Sequence, residues 1–355
     1  MSRRRFLHHC LQGASLPLLG PLAAPRGAAA APVLHPDGRP FRVLMITFRG
    51  ETDVDRGFRA YLADAGLRVD YTVRDAQQDV SRLPAIVQEA RALAPDLIYV
   101  WGTPATLAVV GPYDDPDTAQ RHLHDIPVVF ALVAAPLQSR IVQRLDAPGR
   151  NVTGAVHVVP PEVQLRVMQN YRPFRKLGVL YNGAEPNSRA IVAQARAFCE
   201  RQGAELVERT FRSGSQGQPV GDGVEDLVAQ IHGAGAQWLY LLPDTFLGTL
   251  YQRIAPAALQ LQLPSFGAAE LAVRSGGALL GLISRYYSVG QLAGAKAVEI
   301  LAGGKPAGSL PVETLKRFAL LVNMRVAHSL GMYPPIDMLN YAEVIAVGDA
   351  PAAAS

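Results

Sequence analysis

Cysteine is nearly missing from this chain: 355 residues hold two, Cys10 and Cys199. Cys10 falls in a leader that would be removed, which leaves Cys199 alone and excludes an intrachain disulfide. Charge is sparse too. Charged residues make up 18% and hydrophobic ones 49%, which excludes a disordered chain and provides for a real core. Outside the leader, an excess of either charge sign is also missing. The formal net charge is +4, but residues 1–31 carry Arg3, Arg4, Arg5 and Arg26 and no acid. The remainder is balanced, which removes the case for a nucleic-acid surface. After the leader, no stretch reaches the roughly 18 unbroken apolar residues that a membrane span needs.

The signatures of catalysis are missing as well. No G-x-G-x-x-G follows the first strand, and no G-x-S-x-G or H-E-x-x-H occurs. Gly303–Gly304–Lys305 runs into Pro306 instead of Ser or Thr, so it is no phosphate loop. His122 and His124 stand two apart in a polar loop with no third ligand nearby. Asn151–Val152–Thr153 fits a glycosylation acceptor, which a bacterial export signal makes irrelevant. The expectation is a protein with no enzymatic activity, no cofactor and no metal.

What is there begins with the leader. Ser2, the pair Arg3–Arg4, then Arg5, Phe6 and Leu7 resemble the twin-arginine export signal of bacteria, a receptor-read address. A weakly apolar segment follows to about Ala24, interrupted by Gly13, Gly20 and two prolines. Ala28–Ala31 offers a cleavage site. Cys10 precedes the apolar segment and cannot carry a lipid there, so the expected product is free in the periplasm.

The body is organised around Ala94–Val110, APDLIYVWGTPATLAVV. Leu97–Trp101 has the unbroken apolar, β-branched and aromatic character of a strand covered on both faces. Gly102 permits a sharp turn. Thr103 is the expected N-cap of the next helix, with Pro104 at its first position. A strand ending on a helix N-terminus is where open α/β sheets take ligands, though a purely structural turn looks the same.

On either side the pattern alternates strand and helix. Strands are expected at Arg42–Thr47, Val69–Val73 and Pro127–Val133, with helices from Asp53 and from a Ser81 cap. After a turn-rich crossing at Pro148–Gly154 a second series begins: Leu177–Tyr181, a helix over Asn187–Gln202, Glu205–Phe211, Val224–His232, Trp238–Leu242, Tyr251–Leu261, Pro264–Gly267 and Ala278–Ile283. A helix over Tyr286–Leu301, a strand at Phe318–Val322 and a helix over Met324–Leu330 close it. The tail from Gly348 is alanine-rich. This is an α/β protein of two doubly wound parallel-sheet lobes. The expected division is a signal peptide over 1–31, one lobe from 40–152 plus 284–312, a second from 153–283 plus 313–335, and an extension over 336–355.

Polar residues stand at the ends of successive strands: Phe48–Arg49, Thr103 and Thr106, the turn Ala134–Ala135–Pro136, Asn187–Ser188, and Asp244–Thr245. The last two pairs precede helices, where N-capping explains them as well as a cleft does. Two facing lobes with hydroxyls, an amide and a carboxylate at their strand ends suggest a ligand clamp.

Further stretches carry a resemblance: IPVVFALVAAP, PGRNVTG, QLRVMQNYRP, LGVLYNGAEPNS, LPDTF, GALLGLISRYYSVGQLAGAKAVEILAGGKPAGSLPVE and VNMRVAHSLGM. With APDLIYVWGTPAT they make the chain, from about Arg42 to Pro334, similar to the periplasmic substrate-binding proteins of ABC transporters, in the tryptophan/tyrosine-binding-like group. The resemblance implies the periplasmic binding protein type I-like fold, a three-segment hinge and a ligand held between the lobes. It implies an ABC permease in the inner membrane as partner and a small molecule as ligand, for a monomer. Gly102, Thr103, Thr106, Asn187, Ser188, Asp244 and Thr245 map onto the family's binding loops. Ala135 stands where the family usually has Asp. The ligand expected is an amino acid or related carboxylate. Its carboxylate would lie at Gly102 and Thr103, with Asn187 and Ser188 donating and Asp244 facing an amine. Phe48, Trp101, Tyr286 and Tyr287 would form an apolar wall. The same clamp would also serve a sensory subunit of a membrane signalling system.

Overall fold

The computed structural model describes residues 31–115, 121–215 and 217–345. The expected leader, but for Ala31, and the tail from Gly348 lie outside them. The chain builds β1 (Phe41–Thr47), α1 (Asp53–Asp64), β2 (Val69–Asp75), α2 (Leu83–Leu93), β3 (Leu97–Trp101), α3 (Thr103–Val110), β4 (Val128–Val133) and β5 (Val152–Val156). Next come α4 (Pro161–Tyr171), β6 (Lys176–Tyr181), α5 (Pro186–Arg201), β7 (Glu205–Thr210), the small hairpin of β8 (Arg212–Ser213) and β9 (Pro219–Val220), α6 (Val224–Gly233) and β10 (Trp238–Leu241). Then follow α7 (Tyr251–Gln260), β11 (Ser265–Gly267), α8 (Glu270–Arg274), β12 (Leu280–Ile283) and α9 (Tyr286–Leu301). The last are β13 (Glu313–Thr314), β14 (Ala319–Asn323), α10 (Met324–Leu330), α11 (Ile336–Leu339) and β15 (Ala342–Ile345).

Two sheets result. The first runs β13-β5-β4-β3-β1-β2 and is parallel throughout. The second runs β15-β14-β12-β11-β10-β6-β7, with β14 antiparallel to β12. β3 and β4 are buried at every residue, which is why they read as unbroken apolar runs. Each sheet has its own apolar core. Among the described residues no helix is long and apolar enough to cross a membrane.

The chain passes between the lobes at 157–160, 284–285 and 315–318. The first and third passages differ from expectation. β5 pairs with β4 through Val156, so Val152–Val156 belongs to the first lobe. β13 pairs with β5, which keeps 313–314 there too. Residues 336–345 are no extension, because β15 pairs in register with β14 from Leu320↔Ala342 to Asn323↔Ile345. Such short edge strands leave too little periodicity to be read. Caps moved as well. Asp79, not Ser81, opens the segment before α2, its carboxylate accepting from Ser81 N at 2.9 Å. Gly102, not Thr103, is the N-cap of α3, at φ +82°.

Candidate functional site

The sheet orders locate the site before any side chain is considered. In the first sheet the winding reverses between β1 and β3, with β2 on one side and β4 on the other. In the second it reverses between β6 and β10. At such points the helices leave in opposite directions and open a crevice at the carboxyl ends of the strands. The loops there hold Phe48–Arg49 and Gly102–Thr103 in one lobe, and 182–188 and 242–248 in the other. The two crevices share one cavity of about 30 Å³, lined from the first lobe by Arg49, Trp101, Thr103, Leu132 and Ala134, and from the second by Asn187, Pro243, Asp244, Thr245, Gly248 and Tyr251. His157, from the first crossing, and Tyr286, at the start of α9, also line it. A cavity of that size holds a water or two, so any larger ligand requires the lobes to part. Beside it a second cavity of about 240 Å³ shares Arg49, Gly248 and Tyr251 and reaches the exposed Gln78 and Gln252.

Arg49 spans the lobes. Its guanidinium donates to Thr245 O at 3.0 Å and Gly248 O at 3.1 Å, and lies 4.9 Å over the Trp101 ring. Trp101 is held in turn by Phe48, stacked at 6.0 Å and 13°, and by donating Nε1–H to Thr52 Oγ1 at 3.3 Å. Among the described residues no carboxylate pairs with Arg49, and its Nε is buried without an acceptor. Leu132 reaches the cavity because β4 bulges there: the residue takes φ +58° and the register to β5 shifts. The residue this brings into the cavity is Ala134. Ala135 is buried and does not line it.

In the second lobe the acids serve the loops. Asp244 Oδ1 accepts from Leu247 N at 2.8 Å, and Oδ2 from Asn182 N at 2.7 Å. Ser188 Oγ stands 2.7 Å from Asp244 Oδ2 and 3.0 Å from Glu185 Oε2. One hydroxyl proton cannot serve two carboxylates, so the second contact needs a proton from the acids themselves. The energetics agree: burial, and then the charge of Asp244, pushes Glu185 up to about 7, and burial raises Asp244 too. Glu185 Oε2 also accepts from Thr245 N at 3.0 Å and from Asn187 Nδ2 at 3.3 Å. The two switch-point loops are thus bound to each other by a buried acid pair holding a proton.

This pair sets a pH dependence. A carboxyl whose folded pKa is raised keeps its proton better folded than unfolded. Its contribution favours folding most below the ordinary value of 4.5 and is lost as the pH rises to about 7. His157 acts oppositely: burial pushes it down to about 4, so it disfavours folding as the pH falls from 6.5 to about 4. Glu185→Gln removes the titrating proton, and its amide oxygen in the place of Oε2 still accepts from Thr245 N–H and from the Ser188 hydroxyl. Denaturant unfolding should then lose less stability between pH 4.5 and 7 than the parent chain. Equal slopes would contradict the shared proton.

Six of the expected residues therefore line the cavity: Trp101, Thr103, Asn187, Asp244, Thr245 and Tyr286. The others do not. Phe48 stands behind Trp101, and Gly102 forms the turn. Thr106 Oγ1 donates to Gly102 O at 2.7 Å. Ser188 is fully buried between the acids, and Tyr287 is exposed. Asp244 faces the cavity with loop donors already on both of its oxygens. Sequence reasoning placed Arg49 at a strand end without assigning it, and missed His157 and Tyr251. Asn187 Oδ1 and His157 Nδ1 are buried without partners. No group of His, Cys, Asp or Glu among the described residues is arranged to hold a metal.

A family model described as "ABC transporter substrate binding protein" matches residues 45–345. The chain belongs to this family. It is 27% identical over 284 residues to a tyrosine-binding protein of Clostridioides difficile, covering 78% of this chain and 76% of that one. Among solved structures, a conserved domain protein of Vibrio cholerae superposes with a TM-score of 0.75 at 24% identity, over 86% of this chain and 99% of that one. An ABC domain from Streptococcus pneumonia in complex with L-Trp superposes with a TM-score of 0.72 at 21% identity, over 85% and 100%. The fold is that of the type I-like periplasmic binding proteins, with two lobes. The substrate-binding chain of an ABC transporter takes a small-molecule ligand.

Proposed function

We propose that this chain is the periplasmic receptor of an ABC importer, capturing a small carboxylate, an amino acid or a close relative, between its lobes and delivering it to an inner-membrane permease. Binding is its whole task. The observation that carries this reading is the meeting of two switch-point crevices in one cavity, with Arg49 bonded across it. Closure follows because a ligand touching both lobes favours the state in which both touch it. The walls Trp101, Tyr251 and Tyr286 suit an apolar or aromatic body. So do relatives named for tyrosine binding and seen with L-Trp. The first crevice offers the start of α3 and the Arg49 charge to a carboxylate.

The test is a melting-temperature screen of small carboxylates on refolded protein. A ligand bound only by the folded chain raises the melting temperature. No shift from any metabolite at millimolar concentration would contradict the reading. The SRRRFL leader supports export by the twin-arginine route, and the receptor acts as a monomer. Arg3→Lys with Arg4→Lys should hold the precursor in the cytoplasm, read by fractionation. Wild-type periplasmic levels would contradict that route.

A further inference from the structure

Resting on the receptor reading, the cavity's unpaired atoms narrow its ligand. Among the described residues, three buried polar atoms in the cavity walls have no partner: Arg49 Nε, His157 Nδ1 and Asn187 Oδ1. Arg49 is a donor with an uncompensated charge, and Asn187 Oδ1 is an acceptor. Buried groups of this kind cost free energy until a ligand pairs them. An anionic oxygen answers Arg49, and a single hydroxyl proton answers Asn187.

An ammonium group finds no counterpart. It brings a positive charge and three donors. Among the described residues Asp244 is the only acid in the walls, and both its oxygens already meet protein donors, Leu247 N on Oδ1 and Asn182 N and Ser188 on Oδ2. From the loop after β4 only Ala134 faces the cavity. Arg49 lines the same cavity and repels a second cation. We infer that the preferred ligand is a 2-hydroxy carboxylate with an apolar body, its carboxylate on Arg49 and its hydroxyl on Asn187 Oδ1, and that the matching amino acid binds less well.

The experiment is calorimetric titration of refolded protein with matched pairs: L-3-phenyllactate against L-phenylalanine, and L-3-(4-hydroxyphenyl)lactate against L-tyrosine. Each pair differs only in hydroxyl for ammonium. The hydroxy acid should bind at least tenfold tighter, and Asn187→Leu should erase that preference. An amino acid binding as tightly as its hydroxy partner, or tighter, overturns this inference and leaves the receptor reading intact. A screen in which only neutral metabolites stabilise the protein overturns this inference and the carboxylate part of the receptor reading, and leaves capture of a small molecule standing. A screen in which nothing binds overturns both.

Discussion

Arg49→Met should weaken ligand binding by about 2–5 kcal/mol, the cost of truncating one member of a buried, hydrogen-bonded charge pair. That is roughly thirtyfold to several-thousandfold in affinity. The methionine keeps an aliphatic body over Trp101, so the loss isolates the charge and its donors. Unliganded stability should change little. The bonds of Arg49 go to Thr245 O and Gly248 O at the cleft, where water replaces them, and the side chain belongs to neither apolar core. Arg49→Lys keeps the charge but loses the fork and the Nε–H, so it should fall between. Unchanged affinity in the methionine variant, measured by calorimetry, would remove Arg49 from the site.

Arg49 also shows how far the sequence reaches. The strands and helices were legible because parallel strands buried on both faces read as apolar runs, and helices as stripes. Once the order of elements is known, strand ends are known, and Phe48–Arg49, Thr103, Asn187 and Asp244 follow as candidates. Which of them faces the cavity was not legible. Leu132 and Ala134 reach it through a bulge that leaves no trace in VVFALVAAP. His157 sits in a crossing segment, where no periodicity marks a role. Asp244 looked like a ligand's counter-charge, because sequence does not reveal that Asn182 N, Leu247 N and Ser188 would converge on it from two loops.

The largest structural effect is expected at Gly290. This residue and Gly294 lie one turn apart on α9, against α1, which contributes Gly57. A Cβ on Gly290 would overlap Val54 O and stand 2.8 Å from Phe58 N, and one on Gly57 would overlap Tyr287 O. The two backbones are in contact, and a methyl group must push them apart. In an open helix, Gly→Ala stabilises by about 1 kcal/mol. Here overpacking should reverse the sign and cost about 1–3 kcal/mol or more. The damage would reach the site, because α9 begins with Tyr286, whose N–H donates to Glu270 Oε2 of the second lobe at 2.6 Å. Gly233→Ala at the end of α6, where a Cβ meets nothing within 4 Å, is the control and should not destabilise. Denaturant midpoints of the two variants check this. A Gly290→Ala chain as stable as the parent would mean the helices do not touch as described.

Lobe closure on a ligand is the central claim, and a distance across the cleft mouth tests it directly. Gln78 and Gln252 are exposed on opposite lobes at the rim of one cavity. Spin labels on Gln78→Cys and Gln252→Cys, in the chain from Pro32 onward, leave the native thiol unlabelled: Cys199 is buried and its pKa is pushed up to about 11. Pulsed dipolar spectroscopy should give a broad distance distribution without ligand. A saturating ligand that raises the melting temperature should give a shorter, narrower one. A distribution indifferent to that ligand would contradict capture between the lobes.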